Sequence, residues 1–107
     1  MKRAKVDDNQ ARIVECLERW GCTVQSIASQ GGGCPDLLIG FRGVTAIAEV
    51  KDGTKPKSKQ QLTPDEKEWR RTWKGQYTIL RNAADVDGLM MALIPQVAGM
   101  KNGKGEE

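Results

Sequence analysis

Apolar and polar positions along this chain repeat with two different periods. Ile13, Val14 and Leu17 fall on one stripe at about 100° per residue, with Gln10 in its middle. Asp7, Asp8 and Asn9 are N-cap candidates and Gly21 is a C-terminal stop. A first helix is therefore predicted to about Trp20. Thr23 to Ser29 then reads as a short strand with apolar Val24 and Ile27. Leu37–Phe41 and Val44–Val50 are apolar runs around Arg42-Gly43, the pattern of a two-residue hairpin. Asp52 to Leu62 has no apolar periodicity and reads as a loop. Thr63-Pro64-Asp65-Glu66 places Thr at an N-cap, Pro at N1 and Glu at N3, a capping box that opens a second helix. Trp69 and Trp73 lie four apart on one face of it and read as core rather than as base-stacking platforms. Gly75 ends that helix, and Gln76 to Arg81 has the β-branched and aromatic content of a strand. A last helix from near Asp85 buries Val86, Leu89, Met90 and Leu93, with Pro95 near its end.

The predicted order is αβββαβα. Three strands in succession give an antiparallel meander. Strand, helix, strand gives a crossover, so the last strand pairs in parallel. The class is α/β with a mixed sheet. One domain spans 1–98, with a flexible basic arm over 1–6 and a disordered tail over 99–107.

The hairpin carries the candidate chemistry. With a two-residue turn, opposed residues have a constant index sum, which places Asp36 opposite Glu49. Opposed side chains project from one face, and alternation puts Lys51 on the face of Glu49. Two carboxylates that close repel unless a cation sits between them or one is protonated. A hard divalent ion with oxygen ligands suits them, and Lys51 would hold a water or a phosphate oxygen. The plainer alternative makes Asp36 a turn residue after Pro35, and Glu49 and Lys51 solvated strand-end charges.

Composition narrows the field. The 107 residues suit one modest core. The mean hydropathy of −0.55 suits a soluble chain. No apolar run approaches a membrane span, and no apolar stretch follows the basic N-terminus as in a signal peptide. Both features point to the cytoplasm. There is no histidine, so Cys/His zinc sites and His-dependent nucleophile pairs are excluded within the chain. Cys16, Cys22 and Cys34 form no paired framework, and the first two read as small hydrophobes. Cys34 as a nucleophile would lack a His base. From Val50 to Lys74, eight Lys/Arg stand against four Asp/Glu, so the cationic surplus adjoins the acidic pair. That suits a polyanion, as it also suits a solvated loop. Gly31-Gly32-Gly33 lets another backbone or a phosphate approach closely, and lacks the Gly-Lys-Ser/Thr ending of a Walker A loop.

Pro35-Asp36, a hairpin, then Glu49-Val50-Lys51 resembles the PD-(D/E)XK nuclease signature. The flanking GGGCPDLLIGFRG and AIAEVKDG resemble the VRR-NUC family in its short stand-alone phage and prophage form, over 7–95. The resemblance implies a restriction-endonuclease-like core and a metal-dependent DNA endonuclease in a bacterial or phage-infected cell. Asp36, Glu49 and the Val50 backbone carbonyl would hold Mg²⁺, with Mn²⁺ able to substitute, and Lys51 would complete the catalytic set. Related nucleases often carry an acidic residue on the first helix. Gln10 is the residue placed to face the site here, since Glu15 lies about 140° from the stripe. Relatives carry Gln near Glu66, so Glu66 is a candidate for site support, although capping alone explains it. Lys55, Lys57, Lys59, Arg70, Arg71 and Lys74 would hold DNA backbone. The implied substrate is branched DNA such as a Holliday junction, and paired cuts imply a homodimer. A non-catalytic nucleic-acid-binding module on the same fold, and a small phage assembly protein, are the rival readings.

Overall fold

The two periods of the sequence resolve into helices packed on the two faces of one sheet. The computed structural model describes residues 8–104, with side chains described through 97. The basic arm expected over 1–6, and 105–107 of the expected tail, lie outside the described residues. The elements are α1 (Asp8–Arg19), β1 (Thr23–Ser26), β2 (Leu37–Phe41), β3 (Val44–Val50), α2 (Pro64–Thr72), β4 (Tyr77–Leu80) and α3 (Ala83–Lys104). Short 3₁₀ turns cover Ala28–Gln30 and Lys57–Gln60. The sheet order is β1-β2-β3-β4, with β1-β2 and β2-β3 antiparallel and β3-β4 parallel. The protein is thus mixed α/β, with four strands and three α-helices among the described residues.

The hairpin has the predicted register, from Phe41↔Val44 to Leu37↔Ala48. Arg42 (φ 49°) and Gly43 (φ 88°) are both left-handed, which matches the twist that a two-residue hairpin turn requires. Strand alternation then splits the sheet. Leu37, Ile39, Phe41, Val44, Ala46, Ala48 and Leu80 face Ile13 and Leu17 of α1 and Val86, Leu89, Met90 and Leu93 of α3. This is the core, and Cys22 belongs to it. Ile47, Glu49 and Tyr77 share the other face, where α2 lies.

Several expectations need correction. Trp69 and Trp73 are not core: no residue of α2 is buried, and Trp73 is 42% exposed. The two indoles stack on each other instead, 4.8 Å between centroids, and Trp69 leans on Tyr77. The first strand stops at Ser26 rather than Ser29, because the chain turns into the 3₁₀ segment and then into three left-handed glycines. The loop after β3 contains a 3₁₀ turn. The last helix begins at Ala83, where the Asn82 side chain caps the Asp85 N–H at 2.9 Å. It runs through Pro95 and Gly99 to Lys104, where a tail was expected. Pro95 withdraws a donor from the Met91 carbonyl, and Met91 is well exposed. No described helix is long and apolar enough to cross a membrane.

Candidate active site

Pro35 and Asp36 together remake the end of the β2–β3 ladder. Even-numbered residues of β3 turn their N–H and C=O toward β2, whereas Ile47 and Lys51 donate toward β4. The register would next pair Val50 with residue 35. That residue is proline, which has no N–H. The ladder donor for the Val50 carbonyl is therefore missing, and its acceptor lone pairs remain on the β2 side. The Val50 N–H donates at 2.8 Å to Oδ2 of Asp36, a side chain standing in for a backbone carbonyl. Asp36 is itself held by its own carbonyl, which accepts from the Ile27 N–H at 2.8 Å.

Four of the sequence-predicted residues come together here. Glu49 is only 4% exposed, and no other polar residue is buried in the described chain. Lys51 Nζ lies 3.5 Å from Glu49 Oε2 and 2.9 Å from Glu66 Oε1. That same Glu66 oxygen accepts the Thr63 N–H at 2.9 Å, so one carboxylate closes the capping box and anchors the lysine. Desolvation, then the charges of Asp36 and Glu66, push the Glu49 carboxyl up to about 8. Desolvation also raises Asp36, against the lowering bonds from the Val50 N–H and Glu49. Burial pulls Lys51 down, but Glu66 and Glu49 outweigh it and keep the ammonium above its usual range. Burial pushes Glu66 up, and the Thr63 N–H and Lys51 more than reverse it. The acidic pair is thus biased toward holding a proton, with one cation beside it.

The surroundings fix this cluster from two sides. Gly33 (φ +87°) lies so close to the start of α2 that a Cβ there would stand 2.6 Å from the Asp65 carbonyl carbon. The glycine-rich stretch therefore serves close approach of another backbone, which seats Glu66 over Lys51. From the other side, Asn9 Nδ2 donates to the Lys51 carbonyl at 2.8 Å and to the Arg81 carbonyl at 3.4 Å. Gln10 is half-buried in the first turn of α1, and Glu15 is exposed and paired with Arg19. Cys34 sits near the cluster, and burial with the charges of Glu49 and Asp36 raises its thiol, which keeps it protonated and a poor nucleophile.

The expected cationic residues divide. Arg70 and Arg71, with Lys67, Gln60 and Gln61, line a cleft of about 480 Å³ floored by Ile79, the residue paired with Glu49. Arg70 also covers the Tyr77 ring at 4.9 Å, and Arg71 is held by Glu68 at 2.6 Å. Lys57 and Lys59 lie in the 3₁₀ turn, while Lys55 and Lys74 are exposed outside that cleft. No family model, curated protein or solved structure matches this chain.

The donor set suits a small hard cation. Among the described residues no three Cys, His, Asp or Glu side chains converge as a ready-made metal centre. Mg²⁺ characteristically takes one or two carboxylates and completes its shell with water and phosphate oxygens. Asp36, Glu49 and the ladder-free Val50 carbonyl match that requirement. Sequence reasoning missed Asn9, taken only as a cap, and Tyr77, whose aromatic character marked a strand and nothing more. Only the packing of α1 brings Asn9 to this site, and only the strand pairing puts Tyr77 on the face of Glu49.

Proposed function

We propose that this protein is a metal-dependent DNA endonuclease, with Asp36, Glu49 and Lys51 as its catalytic residues. The observation that carries the reading is the Asp36–Glu49 carboxyl pair beside Lys51, built where Pro35 interrupts the ladder. A close carboxyl pair is relieved by a shared proton or by a cation that displaces it, and a divalent cation is the occupant this reading assigns. Asp36, Glu49 and the Val50 carbonyl would hold it. A Mg²⁺ or Mn²⁺ ion there supplies acidification of water and charge neutralisation for a phosphodiester. The chain's own residues do the rest. Lys51, kept charged by Glu66, offers its N–H donors to a phosphate oxygen or to the attacking water. Asn9 holds the Lys51 backbone while Glu66 holds its ammonium, so the side chain is oriented from both ends. Arg70, Lys67 and Arg71 in the adjoining cleft bind the flanking backbone.

The element order, with an antiparallel meander and one parallel crossover strand, supports a restriction-endonuclease-like core and the VRR-NUC likeness of the motifs. On that reading the substrate is branched DNA, a four-way junction first, cut in pairs by a homodimer in the cytoplasm. The test is cleavage of labelled four-way junction, flap, linear duplex and single strand with Mg²⁺, beside Lys51→Ala. Symmetric junction cuts that vanish in the variant support a resolvase. Cuts confined to flaps or duplex keep the nuclease and discard the resolvase. Salt-sensitive DNA binding with no cutting of any substrate favours the non-catalytic binding module.

A further inference from the structure

Tyr77 has a buried hydroxyl with nothing to bond. Among the described residues it is the one buried side-chain oxygen or nitrogen without a hydrogen-bond partner. Buried polar groups are almost always satisfied, because an orphaned donor forfeits the hydrogen bonds it had in water. The position makes the exception informative. Tyr77 pairs with Ile47, two residues before Glu49, and therefore projects on the same sheet face as Glu49. Its ring is held by Trp69 at 6.3 Å and by the Arg70 guanidinium at 4.9 Å. Glu49 is its diagonal neighbour across the β3–β4 pair, and such neighbours, roughly 7–8 Å apart, are within reach of an aromatic side chain. The hydroxyl is buried on this face, and the charges of Glu49, Glu66 and Asp36 all act on it. Burial, then the negative charge of Glu49, drive its ionisation up to about 12, so it remains an O–H donor at any physiological pH.

Glu49 Oε2 stands 3.5 Å from the Lys51 ammonium. Carboxylates that ligate a metal are characteristically hydrogen-bonded by neighbours that fix which oxygen faces the ion. We propose that Tyr77 is the positioning residue for Glu49: its hydroxyl donates to the Glu49 carboxylate when a divalent cation is bound. This rests on the reading of Asp36 and Glu49 as an ion site.

The experiment compares wild type with Tyr77→Phe, using Mn²⁺ titration by calorimetry on the full chain without DNA, and thermal melting without metal. The variant is expected to bind Mn²⁺ roughly 10- to 100-fold more weakly. Its metal-free melting temperature is expected to equal or exceed that of wild type, since the orphaned donor is gone. A hydroxyl serving only structure would instead lower the melting temperature and leave Mn²⁺ affinity unchanged, and either result overturns the inference. Equal Mn²⁺ affinity in the two proteins overturns it while leaving the ion site intact. Failure of wild type itself to bind Mn²⁺ overturns the ion site and the inference together.

Discussion

Burial and the charges of Asp36 and Glu66 raise the Glu49 carboxyl, and this has a measurable consequence. Its ionisation in the folded chain is raised from 4.5 to about 8. The folded state therefore binds a proton more tightly than the unfolded chain does. The stabilisation from that proton is complete below about pH 4.5 and is lost as pH rises through about 8. Without metal, the melting temperature should fall across that window, and Glu49→Gln should flatten the slope. Melting curves at fixed ionic strength check this, and a wild-type stability that rises from pH 5 to 8 would contradict it. The same proton must leave when a cation binds, so Mn²⁺ affinity should increase with pH over this interval. The pairing of Asp36 with Glu49 was legible in the sequence because the pleat makes side-chain direction a matter of counting. The placement of Lys51 followed by the same count. Tyr77 was not legible, since nothing local to a strand says which helix will bury its hydroxyl.

At the scale of elements, the start of α2 is where fold and chemistry meet. Thr63 and Glu66 form the capping box, and Glu66 also binds Lys51. Thr63→Ala should cost about 1 kcal/mol in urea denaturation, the usual value of a lost N-cap. Under the proposed mechanism it should also slow cleavage, because Glu66 loses the register that holds Lys51. Gly33→Ala should do more harm, since the new Cβ overlaps the Asp65 carbonyl and the residue sits at φ +87°. Strain of this kind costs about 1–3 kcal/mol, and an unchanged denaturation midpoint would contradict the packing described. The capping box was legible because it is local chemistry. The Trp pair was not: spacing of four puts two indoles on one face, but not whether that face meets a core or solvent. Here α2 bridges an open sheet face and its indoles satisfy each other by stacking. The third helix runs past Pro95 and Gly99 to Lys104, beyond its predicted end.

For the whole molecule, charge and symmetry set the expectations. The cleft beside Glu49 gathers Lys67, Arg70 and Arg71, whereas Arg42 lies at the hairpin turn, the opposite end of β3. Lys67→Gln should weaken DNA binding and reduce the salt slope by about 1, the signature of one lost phosphate contact. Arg42→Gln should leave that slope unchanged. Fluorescence anisotropy across a salt series reads both. Equal slopes in the two variants would place DNA elsewhere. The overall order of strands and helices was legible from alternating periods and turn residues, but the meeting of the glycine stretch, α1 and α2 around one strand end was tertiary information.

The most direct measurement is Mg²⁺-dependent cleavage of a labelled four-way junction by wild type and Asp36→Asn. The asparagine retains an oxygen that can accept the Val50 N–H, so the fold is kept while a ligand charge is removed. Cutting by wild type should rise with Mg²⁺ and disappear with chelator, and a variant that melts as wild type does should not cut. A folded Asp36→Asn protein that cuts DNA at the wild-type rate would contradict it.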